Sequence, residues 1–75
     1  MPFQFSDHAR KQLKRRKLST KQVLAAAGNP EEIIPSFRGR KLRRKRVGSK
    51  LLEVVTKTEG SKVTIITAYY LEEDL

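Results

Sequence analysis

The chain has 75 residues, with 17 Lys and Arg against 8 Asp and Glu and no cysteine or tryptophan. This length gives one small domain, residues 1–75, with a thin core. The absence of cysteine excludes disulfide scaffolds and cysteine-based zinc modules, and with a single histidine we expect no metal and no cofactor. No stretch approaches the roughly 20 apolar residues of a membrane helix, and the first residues lack a secretory pattern. We therefore expect a soluble cytoplasmic protein with no membrane contact.

The positive charge is concentrated in the first two thirds of the chain. The formal net charge is +9, of which residues 1–50 carry +12 and residues 51–75 carry −3, including an acidic tail at 72–75. Such an asymmetry indicates a surface that binds a polyanion.

The first predicted element is a helix that begins after Phe5. Ser6 is a good capping residue and Asp7 is an acid in the first turn, where the helix dipole favours negative charge. From there a helix is predicted through about Lys17. Its apolar stripe is narrow, because only residues 5, 9 and 13 repeat at the helical spacing.

A second helix follows at once. Ser19 and Gln22 have the spacing of a capping box, and the flanking residues 18 and 23 have that of a hydrophobic staple. The helix is predicted to run to about Ala27, with Gly28 as its C-cap and a proline soon after. The residues predicted to face the core are Val23, Leu24 and Ala27.

The rest of the chain is predicted to form a loop and then an antiparallel meander. The loop covers Glu31–Gly39, and its apolar residues Ile33, Ile34 and Phe37 are expected to pack on the core. Phe3–Phe5 could add a short leading strand. The fold class is therefore α+β: two N-terminal helices packed on an antiparallel sheet of three to four strands. The strands of the meander are Lys41–Val47, Leu51–Thr58 and Val63–Tyr70.

The most unusual feature is the basic run Arg38–Arg46 in the first meander strand. Alternation along a strand puts Arg44 and Arg46 on one face, and Arg43 and Lys45 on the other. One set should lie on the open sheet surface and the other should escape at an edge, which suits an edge strand. Charge that blocks unwanted strand pairing is one explanation; phosphate binding is the other, since arginine binds phosphate bidentately. The predicted nucleic-acid-binding residues are Lys11, Lys14, Arg15, Arg16, Arg38, Arg40, Arg43 and Lys45.

Two further residue types bear on catalysis. Histidine is the side chain best suited to exchange a proton at neutral pH, and His8 is the only one; it is either a general base or a plain surface residue. Of Tyr69 and Tyr70, one should face the core and one the surface, where it could stack on a base or protonate a leaving oxygen. The candidate catalytic set is His8, Arg44, Arg46 and Tyr70.

Ordered motifs along nearly the whole chain resemble those of a small bacterial and archaeal family, the domain of unknown function 4258. The helix–helix–meander order is also similar to that of the BrnT toxins and, more distantly, the RelE/ParE superfamily. In this resemblance His8 and Arg16 match a family histidine and arginine, whereas Gln12 replaces a frequent arginine. The matching segments are Phe5–Arg10, Arg15–Ser19, Val23–Leu24, Asn29–Ile33, Gly39–Arg40 and Val63–Tyr69.

The resemblance implies a RelE-like domain and a toxin-like RNA-binding protein, with a metal-independent endoribonuclease of a toxin–antitoxin system as its catalytic form. In such toxins an acidic antitoxin covers the basic sheet face, and the ParE branch instead inhibits gyrase. The residues alone leave a second interpretation open, a non-catalytic nucleic-acid-binding module that uses its basic strand and helix. The expected partners are RNA or another nucleic acid, and an acidic antitoxin protein.

Overall fold

The computed structural model describes residues 3–71, so the acidic tail at 72–75 lies outside the described residues. Five strands form one mixed sheet in the order β1-β5-β4-β3-β2, and both helices pack on one side of it. The α+β architecture predicted from the sequence is confirmed, including the short leading strand. The elements are β1 (Phe3–Phe5), α1 (Asp7–Arg16), α2 (Thr20–Gly28), β2 (Glu32–Pro35), a 3-10 turn (Phe37–Gly39), β3 (Arg40–Val47), β4 (Lys50–Glu59) and β5 (Lys62–Leu71).

Both helices begin where their capping residues predict. The Ser6 side chain accepts a hydrogen bond from the backbone N–H of Ala9 at 3.0 Å, and Ser19 accepts one from the N–H of Gln22 at 3.4 Å. Each serine thus satisfies one of the backbone donors that the first turn of a helix leaves unpaired. Neither α1 nor α2 is long and apolar enough to cross a bilayer.

The end of α2 differs from the prediction. Gly28 is the last helical residue and the C-cap is Asn29, whose φ of −140° is not left-handed, so the predicted glycine C-cap was wrong. A Cβ on Gly28 would lie 3.5 Å from the Phe3 ring, which is an ordinary van der Waals contact, so the packing against β1 does not require glycine at this position.

The core lies between the helices and the sheet. On α2 the buried positions follow the helical spacing, but Leu24 is 37% exposed, so its predicted inward orientation was wrong. It directly follows Val23 and therefore points about 100° away from it around the helix. The buried cluster consists of Ala9, Leu13, Val23, Ala26, Ala27, Leu52, Val54, Ile65 and Ala68.

The basic strand is not at the edge of the sheet. β2 pairs with β3 in antiparallel fashion, so β3 lies between β2 and β4. Two predictions were therefore wrong: the Glu31–Gly39 loop contains a strand, and β3 is not the edge strand. Pro35 suits β2, because a residue without a backbone N–H is tolerated at an edge. Ile33 and Phe37 are 48% and 85% exposed, so they do not pack on the core as expected.

A bulge in β5 interrupts the expected alternation of that strand. The register with β4 shifts between Val55 and Thr56, which leaves Ile66 as an extra residue. Ile65 and Ala68, three positions apart, are consequently both buried in the same core. A regular strand would have put Ala68 on the side opposite Ile65.

Candidate nucleic-acid interface

The basic residues of β3 divide between two sides of the sheet. Residues 40, 42, 44 and 46 lie on the side that the helices leave uncovered, which we call the open face, and Arg43 lies on the helix side. The predicted division into two sets is therefore observed. The two sets have different surroundings, and these surroundings decide what each set can do.

On the helix side, Arg43 and Lys45 donate hydrogen bonds to the C-terminal end of α2. Arg43 is 8% exposed and donates through Nη1 to the backbone oxygen of Ala27 at 2.7 Å and through Nε to Thr56 Oγ1 at 3.1 Å. Lys45 Nζ donates to the backbone oxygen of Asn29 at 3.1 Å. Both cations face the negative end of the helix dipole. The expectation that this set escapes at an edge was therefore wrong, since it lies beneath the helix terminus.

On the open face, a row of polar side chains crosses the sheet. Arg44 Nε donates to Glu53 Oε1 at 2.7 Å, Arg44 Nη1 lies 3.6 Å from Glu32 Oε1, and the Tyr69 hydroxyl donates to the other oxygen of Glu53. Glu53 is only 3% exposed. Sequence reasoning missed this carboxylate, although an acid in the middle of an apolar strand predicts a buried partner.

Two members of this row have a shifted pKa. The hydrogen bond to Glu53 raises the pKa of Arg44, whose guanidinium is charged at neutral pH in any case. Partial burial, with the hydrogen bond to Glu53, raises the pKa of Tyr69 to about 12. At neutral pH Tyr69 therefore keeps its proton and Arg44 is neutralised by a carboxylate.

Arg16 reaches the open face from the end of α1. β1 pairs with only three residues of β5, and beyond them Arg16 Nη1 donates to the backbone oxygen of Ala68 at 2.8 Å and to Thr67 Oγ1 at 3.4 Å. Its guanidinium lies 5.8 Å from the centroid of the Tyr69 ring. One residue of the basic helix thus joins the basic strand around Tyr69.

The other basic residues of α1 do not all share this surface. Lys14 lines a cavity of about 370 Å³ between the two helices, together with Arg10. Lys11 and Arg15 are exposed on α1. The two basic clusters of the sequence therefore meet at Arg16 rather than along their whole length.

A shallow groove of about 720 Å³ lies on the open face beside the loop that joins β2 to β3. Leu42 and Val55 line it within the sheet, and the exposed Phe37 ring lies at its loop side. Arg38 and Arg40 also line it, and within residues 3–71 neither side chain has an ion-pair or hydrogen-bond partner. The groove therefore offers two uncommitted guanidinium groups next to an exposed aromatic ring.

Tyr70, the predicted catalytic tyrosine, lies on the helix side. Its hydroxyl donates to Gln22 Oε1 at 3.4 Å, and Lys50 Nζ lies 5.3 Å from its ring centroid. The structure therefore does not bring Tyr70 to Arg44 or Arg46. The bulge at β5 is the reason, because it turns Tyr69 to the open face in its place.

The two remaining catalytic candidates lie at different ends of the site. His8 is exposed in the first turn of α1, on the same side of the helix as Gln12 and Arg16, and roughly 12 Å along the axis from Arg16. The Gln12 side-chain oxygen is buried without a partner among the described residues. Arg46 lies on the open face, and its backbone N–H donates to Glu31 Oε1 at 2.6 Å.

Within residues 3–71, no three His, Cys, Asp or Glu side chains group as metal ligands would.

Comparison with known proteins assigns a family. Residues 5–70 match the family described as Domain of unknown function (DUF4258). The chain belongs to this family. No curated protein and no solved structure matches the chain. The family resemblance expected from the sequence is thus confirmed, whereas a relation to BrnT or RelE/ParE is not shown and enters only as a proposal.

Proposed function

We propose that this DUF4258 domain binds nucleic acid, with RNA as its expected target, on the open face of the sheet. The observation that carries the proposal is the groove in which Arg38 and Arg40 have no partner among residues 3–71 beside the exposed ring of Phe37. Guanidinium groups bind phosphate oxygens, and an aromatic ring offers a stacking surface for a base. The ligand that needs both is a nucleic acid.

The surroundings of the other arginines support this location. Arg43 donates to protein oxygens on the helix side, and Arg44 is paired with Glu53. Arg43 is largely buried, and the charge of Arg44 is already balanced by a carboxylate. Binding on the open face therefore rests on the arginines of the groove, with Arg16 at its far side.

The test measures affinity for a labelled RNA oligonucleotide by fluorescence anisotropy over a range of salt concentrations. Wild type should lose affinity steeply with salt, because each phosphate contact releases counterions. Replacing Arg38 and Arg40 by serine should weaken binding to all sequences and lower the logarithmic salt slope by about 1.4. The matched control is Arg10→Ser/Lys14→Ser, which removes the same charge from the cavity between the helices.

The control variant should bind nearly as wild type does. Equal losses for both double variants would mean that bulk charge, and not the groove, attracts RNA. Salt-independent or undetectable binding of RNA and DNA by wild type would overturn the proposal.

A second candidate is RNA cleavage in a toxin–antitoxin system. It is favoured by one observation: His8 lies on the same side of α1 as Arg16, whose guanidinium contacts the Tyr69 ring. In this reaction the 2′-hydroxyl loses its proton to His8 and attacks the adjacent phosphorus, and the bond to the 5′-oxygen breaks as that oxygen takes a proton from solvent water. Arg16 would stabilise the charge on the phosphoryl oxygens, since Arg44 is paired with a carboxylate and Arg46 lies at the other end of the site from the histidine.

Expression in bacteria tests the cleavage reaction. Wild type should slow growth and fragment RNA, whereas His8→Ala, which changes an exposed side chain without a partner among residues 3–71, should do neither. Harmless expression and intact RNA for both proteins would contradict cleavage and leave the binding proposal unaffected. An acidic antitoxin, if it covers the open face, should displace RNA from the isolated domain.

A further inference from the structure

The side chain of Phe37 is exposed and does not contribute to the packing of the core. It is the most exposed large apolar side chain among the described residues, with 85% of its surface in solvent. Such a ring gains nothing from packing, and it shares a groove with two uncommitted arginines, a combination found where bases stack on a protein surface. The question is what the ring contacts.

The loop that carries Phe37 has a defined backbone conformation. The Ser36 N–H donates to the Arg40 oxygen at 2.9 Å, and the Arg40 N–H bonds back to the Phe37 oxygen. Within this closed loop Arg38 and Gly39 have φ values of 55° and 73°. The arginine is in the left-handed region that non-glycine residues avoid. The loop thus fixes the backbone that carries the ring, at a local conformational cost.

The neighbours of Phe37 fit a nucleotide. Arg38 and Arg40 lie in the same groove and are uncommitted among residues 3–71, so phosphates on either side of a stacked base would meet positive charge. Tyr69 is less available for stacking, because Arg16 lies over its ring and its hydroxyl is bonded to Glu53. Phe37 is therefore the main aromatic surface of the groove.

A ring of this kind selects one form of nucleic acid. In a duplex the base faces are covered by their neighbours, whereas an unpaired base can leave the stack and lie on an aromatic side chain. Resting on the proposed nucleic-acid binding, we infer that the open face takes a single-stranded segment, with one base stacked on Phe37 and the flanking phosphates on Arg38 and Arg40. The charged groove alone would accept a duplex as well; Phe37 makes the distinction.

The test compares a single-stranded RNA with a duplex of the same sequence. Wild type should prefer the single strand. Phe37→Ser should weaken single-strand binding about five- to a hundredfold, the range expected for one lost base–aromatic stack. Its salt slope and its affinity for the duplex should not change, since no phosphate contact is lost. The matched control is Ile33→Ser, which truncates another exposed apolar residue of the same region but on the helix side.

A second variant detects stacking on residue 37 directly, by fluorescence. The chain contains no tryptophan, so Phe37→Trp introduces a single tryptophan at the groove, whose emission can be excited apart from that of the tyrosines. Single-stranded RNA should quench it at the concentrations that anisotropy reports for binding, and the duplex should not. This variant should keep the affinity that Phe37→Ser loses, because an indole stacks at least as well as a phenyl ring.

The outcomes separate this inference from the proposed function. If wild type binds single strand and duplex equally, and Phe37→Ser has no effect, the inference is overturned. The proposed function survives that result as long as RNA binding depends on salt. Loss of all RNA binding in wild type overturns both. If polyglutamate quenches the tryptophan of Phe37→Trp and RNA does not, the groove is a docking surface for an acidic protein, and both proposals fail.

Discussion

Arg43 and Arg44 are neighbours in the chain, yet they lie in different environments. Arg43 is buried on the helix side and donates to neutral oxygens of α2 and β4. Arg44, on the open face, is held by two carboxylates, of which Glu53 is buried. One charge is balanced by a helix terminus and the other by an ion pair.

This difference shows that the basic run is not one functional unit. A strand presents successive side chains to opposite sides, so half of its charge faces inward wherever one side is covered. In this domain the inward half stabilises the fold. Among the described residues of the basic run, Arg38 and Arg40 are the two uncommitted arginines that line the groove, and the proposed binding rests on them.

The largest expected effect on stability comes from replacing Arg44 and so removing its ion pair. Arg44→Met should lower the free energy of unfolding by about 3–4 kcal/mol, because it leaves the Glu53 carboxylate buried without its cation. That is a large fraction of the roughly 4–11 kcal/mol expected for 75 residues. Chemical denaturation provides the measurement.

The double variant Arg44→Met/Glu53→Gln tests whether the buried carboxylate causes this loss of stability. Replacing the carboxylate by a neutral amide should recover at least half of the loss, because the uncompensated charge is then gone. Two additive losses would show that Glu53 is not what holds Arg44.

Replacing Arg43 should lower the free energy of unfolding by a smaller amount. Arg43→Met should destabilise the domain by about 2–3 kcal/mol, because it leaves the Ala27 oxygen and the Thr56 hydroxyl with one hydrogen bond fewer. No change to an acidic residue should rescue it. The control is Lys45→Met, whose solvent-exposed hydrogen bond to Asn29 should be worth about 0.5 kcal/mol or less. If the two variants lose equal stability, the buried contacts of Arg43 carry no special weight.

A smaller effect concerns the titration of Tyr69. Its pKa is raised from 10.0 to about 12 in the folded protein, so its contribution to stability is complete below pH 10 and is lost as the pH rises to 12. Two units correspond to about 2.7 kcal/mol at most, and solvent screening at this partly exposed ring reduces the expected contribution to about 1–2 kcal/mol.

The measurement is the free energy of unfolding between pH 9, about one unit below the unfolded pKa, and pH 12, at the folded pKa, compared with that of Tyr69→Phe. Wild type should lose more stability over this range than the variant does. Tyr70→Phe retains the Tyr69 titration and should follow wild type. Parallel curves for wild type and Tyr69→Phe would contradict the hydrogen bond to Glu53 as a stabilising contact.

The helices could be predicted from the sequence because their signals are local. Ser6 and Ser19 cap the residues that follow them within one turn, and the structure begins both helices there. The leading strand and the meander also follow from short apolar runs. By contrast, β2 is recognisable mainly through its pairing with β3, and its proline and polar flanks resemble a loop.

The site depends on contacts between distant segments, and the sequence predicts it less well. The extra residue Ile66 is defined only against β4, yet it decides that Tyr69 and not Tyr70 reaches the open face. Likewise, only the placement of α2 over β3 shows that Arg43 is internal. The sequence predicts how much positive charge there is and roughly where; the tertiary contacts select which of those charges are uncommitted.

The smallest expected effect concerns the conformation of the loop itself. Arg38 and Lys17 are the two described non-glycine residues with positive φ, at 55° and 56°. Glycine adopts this conformation freely, so Arg38→Gly and Lys17→Gly should each stabilise the domain by about 0.5–1 kcal/mol.

The two variants should differ in binding. Lys17→Gly places glycine at the end of α1, where it is favoured, and should leave RNA affinity nearly unchanged. Arg38→Gly should weaken it, because a groove guanidinium is lost. A more stable Arg38→Gly protein that binds RNA as wild type does would remove Arg38 from the interface. If instead stability rises as binding falls, the arginine occupies a conformation that costs the fold stability, and the groove rather than the fold accounts for its presence.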